Sequence, residues 1–286
     1  MYRNRTKVTD IIAKALKIRQ KFDYEPWQAI CVFDLAEKMG VKIYFDAIGS
    51  MEGLYFNSKV PRIILSSLRP PGRKAYNCAH ELAHHILGHG TQVDELINNS
   101  TRKQTSEEFF ANCFAGFLLM PKTAINYGFS RRQWSPLTCT KEQLFTIAGW
   151  LGVGYITLIK HMQYSLKIFS FDKAEKLCKF SPKEIRATIL GYETKENLLV
   201  VDEEWKNKPI DIQIGDYIKF NHDIQLDGNC VKTVDGKESN RLYKASRPGI
   251  GRFYTFDGNW AEFVRVSRKE YSGHSQYRHL EEPEDE

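Results

Sequence analysis

No apolar run in the 286-residue sequence approaches the ~20 residues of a membrane span, which argues against a helical membrane protein. The opening Met-Tyr-Arg-Asn-Arg-Thr lacks the apolar core of a secretory signal, so a soluble, cytoplasmic protein is expected. Cysteine is sparse and unpatterned: Cys31, Cys78, Cys113, Cys139, Cys178 and Cys230 form no CxxC pair. Several sit in apolar helical settings, which reads as small buried hydrophobes in a reducing compartment and excludes a disulfide framework. There is no internal repeat, and charge of neither sign dominates. The net charge is +6, and the acidic end Glu281-Glu282-Pro283-Glu284-Asp285-Glu286 leaves the body more basic than that figure. Such a balance permits an acidic partner or nucleic acid without requiring one. Apolar and aromatic side chains are plentiful, at 42% and 13%, enough for real cores.

Hydrophobic spacing predicts a helix over 7–22 (Val8, Ile11, Ile12, Ala15, Leu16, Phe22) and a second from Pro26 to Gly40. Strands follow at 41–45, 53–56 and 62–65. After Pro70-Pro71-Gly72 a helix over 74–87 ends at Gly88. Residues 91–105 read as an exposed polar loop, 106–119 as a helix and 122–140 as irregular. Two short helices, 141–149 and 155–163, meet at Leu151-Gly152-Val153-Gly154. Past residue 165 the pattern changes. One helix near 171–178 precedes short alternating stretches at 187–192, 198–202, 209–213, 216–220, 251–256 and 261–266, separated by turn signals such as Gly215-Asp216 and Asp235-Gly236. That pattern predicts a small β-sandwich or barrel.

The chemistry concentrates in His80-Glu81-Leu82-Ala83-His84. On a helix, residues four apart share a face, so two imidazoles can hold one metal ion. The glutamate after the first histidine then stands beside the metal, where it can take a proton from water. Catalytic zinc takes three protein ligands, and Glu108, 24 residues after His84 on the next helix, is the candidate third, with Glu107 as the fallback. Thr105-Ser106-Glu107-Glu108 is equally a capping box, which would turn Glu108 back onto Thr105. Asn112 shares a face with Glu108 and could orient a ligand imidazole. Small side chains at Ala111, Ala115 and Gly116 would let this helix approach the first closely.

Two blocks together, Tyr76-Asn77-Cys78-Ala79-His80-Glu81-Leu82-Ala83-His84 and Glu108-Phe109-Phe110-Ala111-Asn112-Cys113-Phe114-Ala115-Gly116-Phe117-Leu118-Leu119-Met120-Pro121, resemble the ImmA/IrrE metallopeptidases. The resemblance covers about residues 7–163. It implies a zincin-like helical and small-sheet core over 1–122 and a helical helix-turn-helix-like subdomain over 123–165; with the β-rich domain that the strand pattern predicts over 166–286, for sensing or substrate recognition, the expected fold class is α+β. It implies that His80, His84 and Glu108 bind Zn²⁺ and that Glu81 is the general base of a zinc endopeptidase. It further implies a protein substrate, a helix-turn-helix repressor cut in a stress or mobile-element response. Arg73, Tyr127 and His161 are all open as oxyanion-stabilising groups.

Two other readings compete. The segment 144–162 has helix-turn-helix spacing, with Tyr155, Thr157, Lys160 and His161 at recognition positions, so a DNA-binding regulator with a structural metal is an alternative. A repressor-binding pseudo-peptidase is the other. His85 and His89 read as flanking the site without binding, and His274 and His279 as solvated. The aromatics Tyr217, Phe220, Phe253, Tyr254, Phe256, Trp260 and Phe263 read as core.

Overall fold

The first helix of the computed structural model, α1 (Tyr2–Lys21), buries Ile11 and Ala15 together with an arginine. Residues 2–95, 105–234 and 241–280 are described. Arg19 donates from Nη1 to the Leu118 carbonyl (2.8 Å) and from Nη2 to the carbonyls of Glu25 (3.2 Å) and Gln28. Burial lowers its pKa to about 10. These bonds explain a departure from the sequence pattern. The carbonyls that a helix from Pro26 would use for its own ladder are engaged by Arg19, and α2 begins only at Val32, running to Lys38.

The described residues gather into two compact units. One comprises Met1–Tyr127, Leu151–Val153 and Glu270–Ser275; the other comprises Gly128–Trp150, Gly154–Lys269 and Gln276–Glu286. In the first, β1 (Lys42–Asp46), β2 (Met51–Phe56) and β3 (Arg62–Ser66) precede α3 (Pro71–Leu87), β4 (Gln92–Glu95) and α4 (Ser106–Leu119). Gln92–Glu95 is thus a strand where a loop was expected; Asn98 to Gln104 lie outside the described residues. With β13 (Gly273–His274) at one edge, the sheet runs β13-β1-β3-β2-β4, parallel between β1 and β3 and antiparallel elsewhere.

The edge strand β13 (Gly273–His274) places His274 opposite Tyr44, edge-on at 5.0 Å, with Nε2 3.5 Å from Glu37. His274 is therefore packed rather than solvated. Against β4, the register of β2 shifts between Met51 and Gly53, a bulge at Glu52.

The stretch expected to be irregular contains α5 (Lys122–Arg131), whose Ala124, Ile125 and Phe129 are buried at helical spacing. In the second unit, α6 (Lys141–Leu151) and α7 (Tyr155–Lys160) are followed by a π-helical turn, His161–Ser165. Gly152 has a left-handed φ of 75°, and the helices flanking it bend by 98°. Next come α8 (Phe171–Cys178) and α9 (Pro182–Leu190). Residues 187–192 are thus largely helix rather than strand, because Ser181 and Glu184 form a capping box, Pro182 sits at the first position and Gly191 closes the end.

The strands β5 (Leu198–Val201), β7 (Tyr217–Phe220), β10 (Leu242–Ala245) and β9 (Val231–Thr233) make one sheet in that order. The strands β6 (Ile210–Gln213), β12 (Ala261–Ser267), β11 (Gly249–Tyr254) and β8 (Gln225–Asp227) make the other. Phe220 and Tyr243 of the first sheet meet Phe253 of the second edge-on at 4.8 and 4.9 Å, the aromatic core of a mixed α+β unit. Phe256 and Phe263 fall outside that core, at 76% and 57% exposure. His279 is buried against Asp211 at 3.7 Å, and burial lowers its pKa to about 3. The Asp235-Gly236 turn and the acidic end lie outside the described residues. All six cysteines are free, and Cys178 is exposed rather than buried. Among the described residues no single helix is long and apolar enough to cross a membrane.

Candidate metal centre

The helix α3 starts with Pro71 at its first turn, where the missing N–H costs nothing, and ends at Gly88 in the left-handed conformation (φ 72°). Cys78, Ala79, Leu82 and Ala83 anchor it in the core. His80, Glu81 and His84 are buried with them, at 5%, 1% and 1% exposure. So much buried polarity on one helix requires partners, and two stripes along α3 find them.

The stripe Tyr76, His80, His84, spaced by four, faces α4. Tyr76 Oη donates to the Asn112 side-chain oxygen (3.3 Å), while His80 and His84 meet Glu108 one turn earlier on α4, so the two helices run antiparallel. Ala111, Ala115 and Gly116 are buried on α4, consistent with the expected close approach. Burial pushes the Tyr76 phenol up to about 12. The Thr105 hydroxyl caps α4 by accepting from the Glu108 N–H at 3.2 Å, and the Glu108 carboxylate extends toward the histidines. Glu107 is exposed.

The stripe Asn77, Glu81, His85 faces β2. Asn77 Nδ2 donates to Glu52 Oε2 (2.7 Å), and Tyr55 Oη bonds His85 Nδ1 (2.8 Å). Between these clasps lies Gly53, where a β-carbon would stand 2.7 Å from Glu81 Oε1. Only glycine leaves that room. Glu52, buried at the bulge, is also paired with Arg69 Nε (3.0 Å) and Arg73 Nη2 (2.8 Å).

His80, His84 and Glu108 each aim one donor atom at a common point, all within 4.8 Å of one another. His80 Nε2 lies 3.1 Å from His84 Nε2 and 3.1 Å from Glu108 Oε2, and His84 Nε2 lies 3.5 Å from Glu108 Oε1. A tetrahedral ion with bonds of about 2.0–2.1 Å needs ligand atoms about 3.3–3.4 Å apart. The three residues fit such an ion. The electrostatics agree: burial, then the neighbouring His80, lowers the His84 pKa to about 4, so at neutral pH the ring is uncharged and one of its nitrogens has a lone pair to give. Glu108 is held below the usual carboxylate range, chiefly by its hydrogen bond with His80.

Residues 36–159 match the family described as the IrrE N-terminal-like domain, Peptidase_M78. These residues belong to that family. In this IrrE-like segment the metal-competent trio and Glu81 sit on the two central helices, and peptidase membership together with a His/His/Glu cluster points to a metallopeptidase. No curated protein sequence matches the chain. Among solved structures, a Mycobacterium tuberculosis transcriptional regulator is similar at 15% identity and a TM-score of 0.36. The alignment covers 54% of this chain and 46% of that one, so it spans less than half of the regulator.

Other expected participants are placed elsewhere. Asn112 donates to the Glu108 carbonyl at 2.9 Å and receives Tyr76, because the antiparallel helices set it opposite residue 76 rather than residue 80. Arg73 is engaged by Glu52, Tyr127 stacks near Trp27 at 6.0 Å, and His161 is buried on the π-helical turn. Of the four DNA-reading positions, Tyr155 and His161 are buried, with Tyr155 Oη bonded to the Leu177 carbonyl at 3.1 Å.

The residues that the sequence pattern did not single out are Glu52, Gly53 and Tyr55, together with a role for His89. His89 Nδ1 lies 2.9 Å from His84 Nδ1. Gly88, legible as a helix end, was the available signal for His89.

Proposed function

We propose that the chain is a zinc-dependent endopeptidase with His80, His84 and Glu108 as ligands and Glu81 as general base. The observation that carries this reading is the convergence of two imidazole nitrogens and a carboxylate, with contacts of 3.1–3.5 Å, beside Glu81, a buried glutamate on the helix of the two histidines. Zinc, when bound, supplies the Lewis acidity that polarises a peptide carbonyl and acidifies water toward a pKa of about 7. Glu81 accepts the proton of the attacking water and returns it to the leaving amine, so its carboxylate ends the cycle as it began. The Gly53 backbone gives that carboxylate its seat on one side. Asn77 and His85, one turn to either side, hold the rotation of α3 through Glu52 and Tyr55.

By the family resemblance, the substrate is a helix-turn-helix repressor; in this reading the protein works in the cytoplasm, and the β-rich region, which the resemblance does not reach, recognises the substrate or senses the signal. The helical segment 123–165 serves as scaffold or docking surface in this reading, within a zincin-like architecture. The test is metal content and cleavage. Purified protein is expected to hold about one zinc per chain, and Glu81→Gln to retain it while losing cleavage of a candidate repressor. A wild-type protein that binds no metal overturns the reading.

A further inference from the structure

The end of α3 is a Schellman turn. The Gly88 N–H bonds the His85 carbonyl (3.4 Å), and the His89 N–H bonds the His84 carbonyl (3.1 Å). This turn folds the residue after the glycine back over the residue five positions earlier, where an apolar pair usually closes the motif. Here the pair is two imidazoles, with ring centroids 5.0 Å apart and Nδ1 atoms 2.9 Å apart. The other nitrogen of His84, Nε2, is the one aimed at His80 and Glu108.

We infer that His89 is a positioning residue for the metal centre, accepting a hydrogen bond from His84 Nδ1–H and so fixing both the tautomer and the ring plane of that ligand. The inference rests on the metal-binding reading of His80, His84 and Glu108. A neutral imidazole carries one N–H. If the Nε2 lone pair is given to a metal, the His84 proton resides on Nδ1, and a 2.9 Å contact between two Nδ1 atoms then requires the His89 lone pair to face it. The His89 proton resides on its own Nε2. No charge is created and no proton changes hands. Gly88 supplies the left-handed φ that brings the acceptor into place, so a motif that ordinarily only stops a helix here also orients a ligand. His89 lies outside the group of convergent donors, which separates orientation from ligation.

Two variants of the full chain test this. His89→Leu keeps the apolar closure that a Schellman turn usually has but removes the acceptor. His89→Asn keeps an acceptor oxygen near the Nδ1 position. Zinc affinity, measured by competition with a chromogenic chelator, is expected to fall on the order of 10–100-fold in His89→Leu and to stay within about threefold of wild type in His89→Asn. The visible spectrum of the Co²⁺-substituted protein is expected to change in the leucine variant only. Metal-free unfolding temperatures are expected to be alike in both.

Wild-type affinity in His89→Leu overturns the inference while leaving the metal site intact. Equal losses in both variants overturn the hydrogen-bond argument, as does a loss in His89→Leu matched by metal-free destabilisation. A wild-type chain that binds no zinc fails at the earlier step and removes both readings.

Discussion

Each unit holds a carboxylate below its usual pKa range, but with different partners. In the β-rich unit, Asp211 accepts two bonds of 2.6 Å from Arg265 and faces Arg278 at 3.3 Å. Burial would raise its pKa, but Arg278 and Arg265 outweigh that and hold it well below the usual range. Asp202 is likewise gripped by Arg132 through bonds of 2.6 and 2.7 Å. In the N-terminal unit, Glu108 faces two imidazoles instead. Asp211 and Glu108 are both held below the usual carboxylate range, yet the arrangements differ chemically. Guanidinium has no lone pair to give, so an Asp–Arg pair is complete as it stands. Imidazole brings a lone pair, so two histidines beside a carboxylate form a set of donors. Convergence of atoms with donor capacity, rather than buried charge itself, separates a site from a staple.

That distinction breaks first at Glu81. Glu81→Gln is expected to reduce peptide cleavage on the order of 10²–10⁴-fold while leaving metal content unchanged, measured by steady-state kinetics and elemental analysis. Equal loss of metal would show that Glu81 supports the donors rather than the proton transfer.

Removing a staple should do the reverse. Arg265→Ala leaves Asp211 short of its two-bond partner and is expected to cost about 2–3 kcal/mol in urea unfolding, less than for a fully enclosed pair, with zinc affinity unaltered.

Gly53→Ala lies between these. Its new methyl would stand 2.7 Å from Glu81 Oε1, displacing the carboxylate. Activity is expected to drop by roughly tenfold or more, with metal binding retained and a stability cost of about 1–3 kcal/mol.

A further test is in pH. In the metal-free protein the folded-state pKa of His84 is about 4, below its ordinary 6.5. Between those values the unfolded chain holds more protons, so stability rises with pH. The His84 contribution is complete above about 6.5 and is lost as pH falls toward 4. Urea unfolding from pH 7 to 4 should show this slope, and His84→Asn should flatten it.

The site was legible where it is local. HExxH follows from i, i+4 spacing, which one helix enforces by itself, as does the ExxxN spacing of Glu108 and Asn112, whereas Glu108 lies on the next helix and was marked only by the second sequence block. What lay across β2 was not legible, because no periodicity within α3 names its partners Glu52, Gly53 and Tyr55. Arg19 illustrates the same limit: a charged residue on a helix reads as solvent-facing until the carbonyls it occupies are seen. The misread α9 is different. Ser181-Pro182-Lys183-Glu184 with Gly191 carried its own start and stop, and the alternation of Ala187, Ile189 and Gly191 hid it. Phe256 and Phe263 show the converse, since aromatic strand residues carry no mark of which face of a sheet they occupy.

The short strand at Gly273–His274 has a consequence for synthesis. It closes the free edge of β1, and Ser272 Oγ bonds Asp46 Oδ1 at 3.1 Å across a sequence separation of 226 residues. A chain emerging from its N-terminus forms β1 long before its neighbour exists, so the sheet beneath the histidines must wait with an open border that invites pairing with other chains. The unit that carries the histidines is completed only after the whole β-rich region has been made.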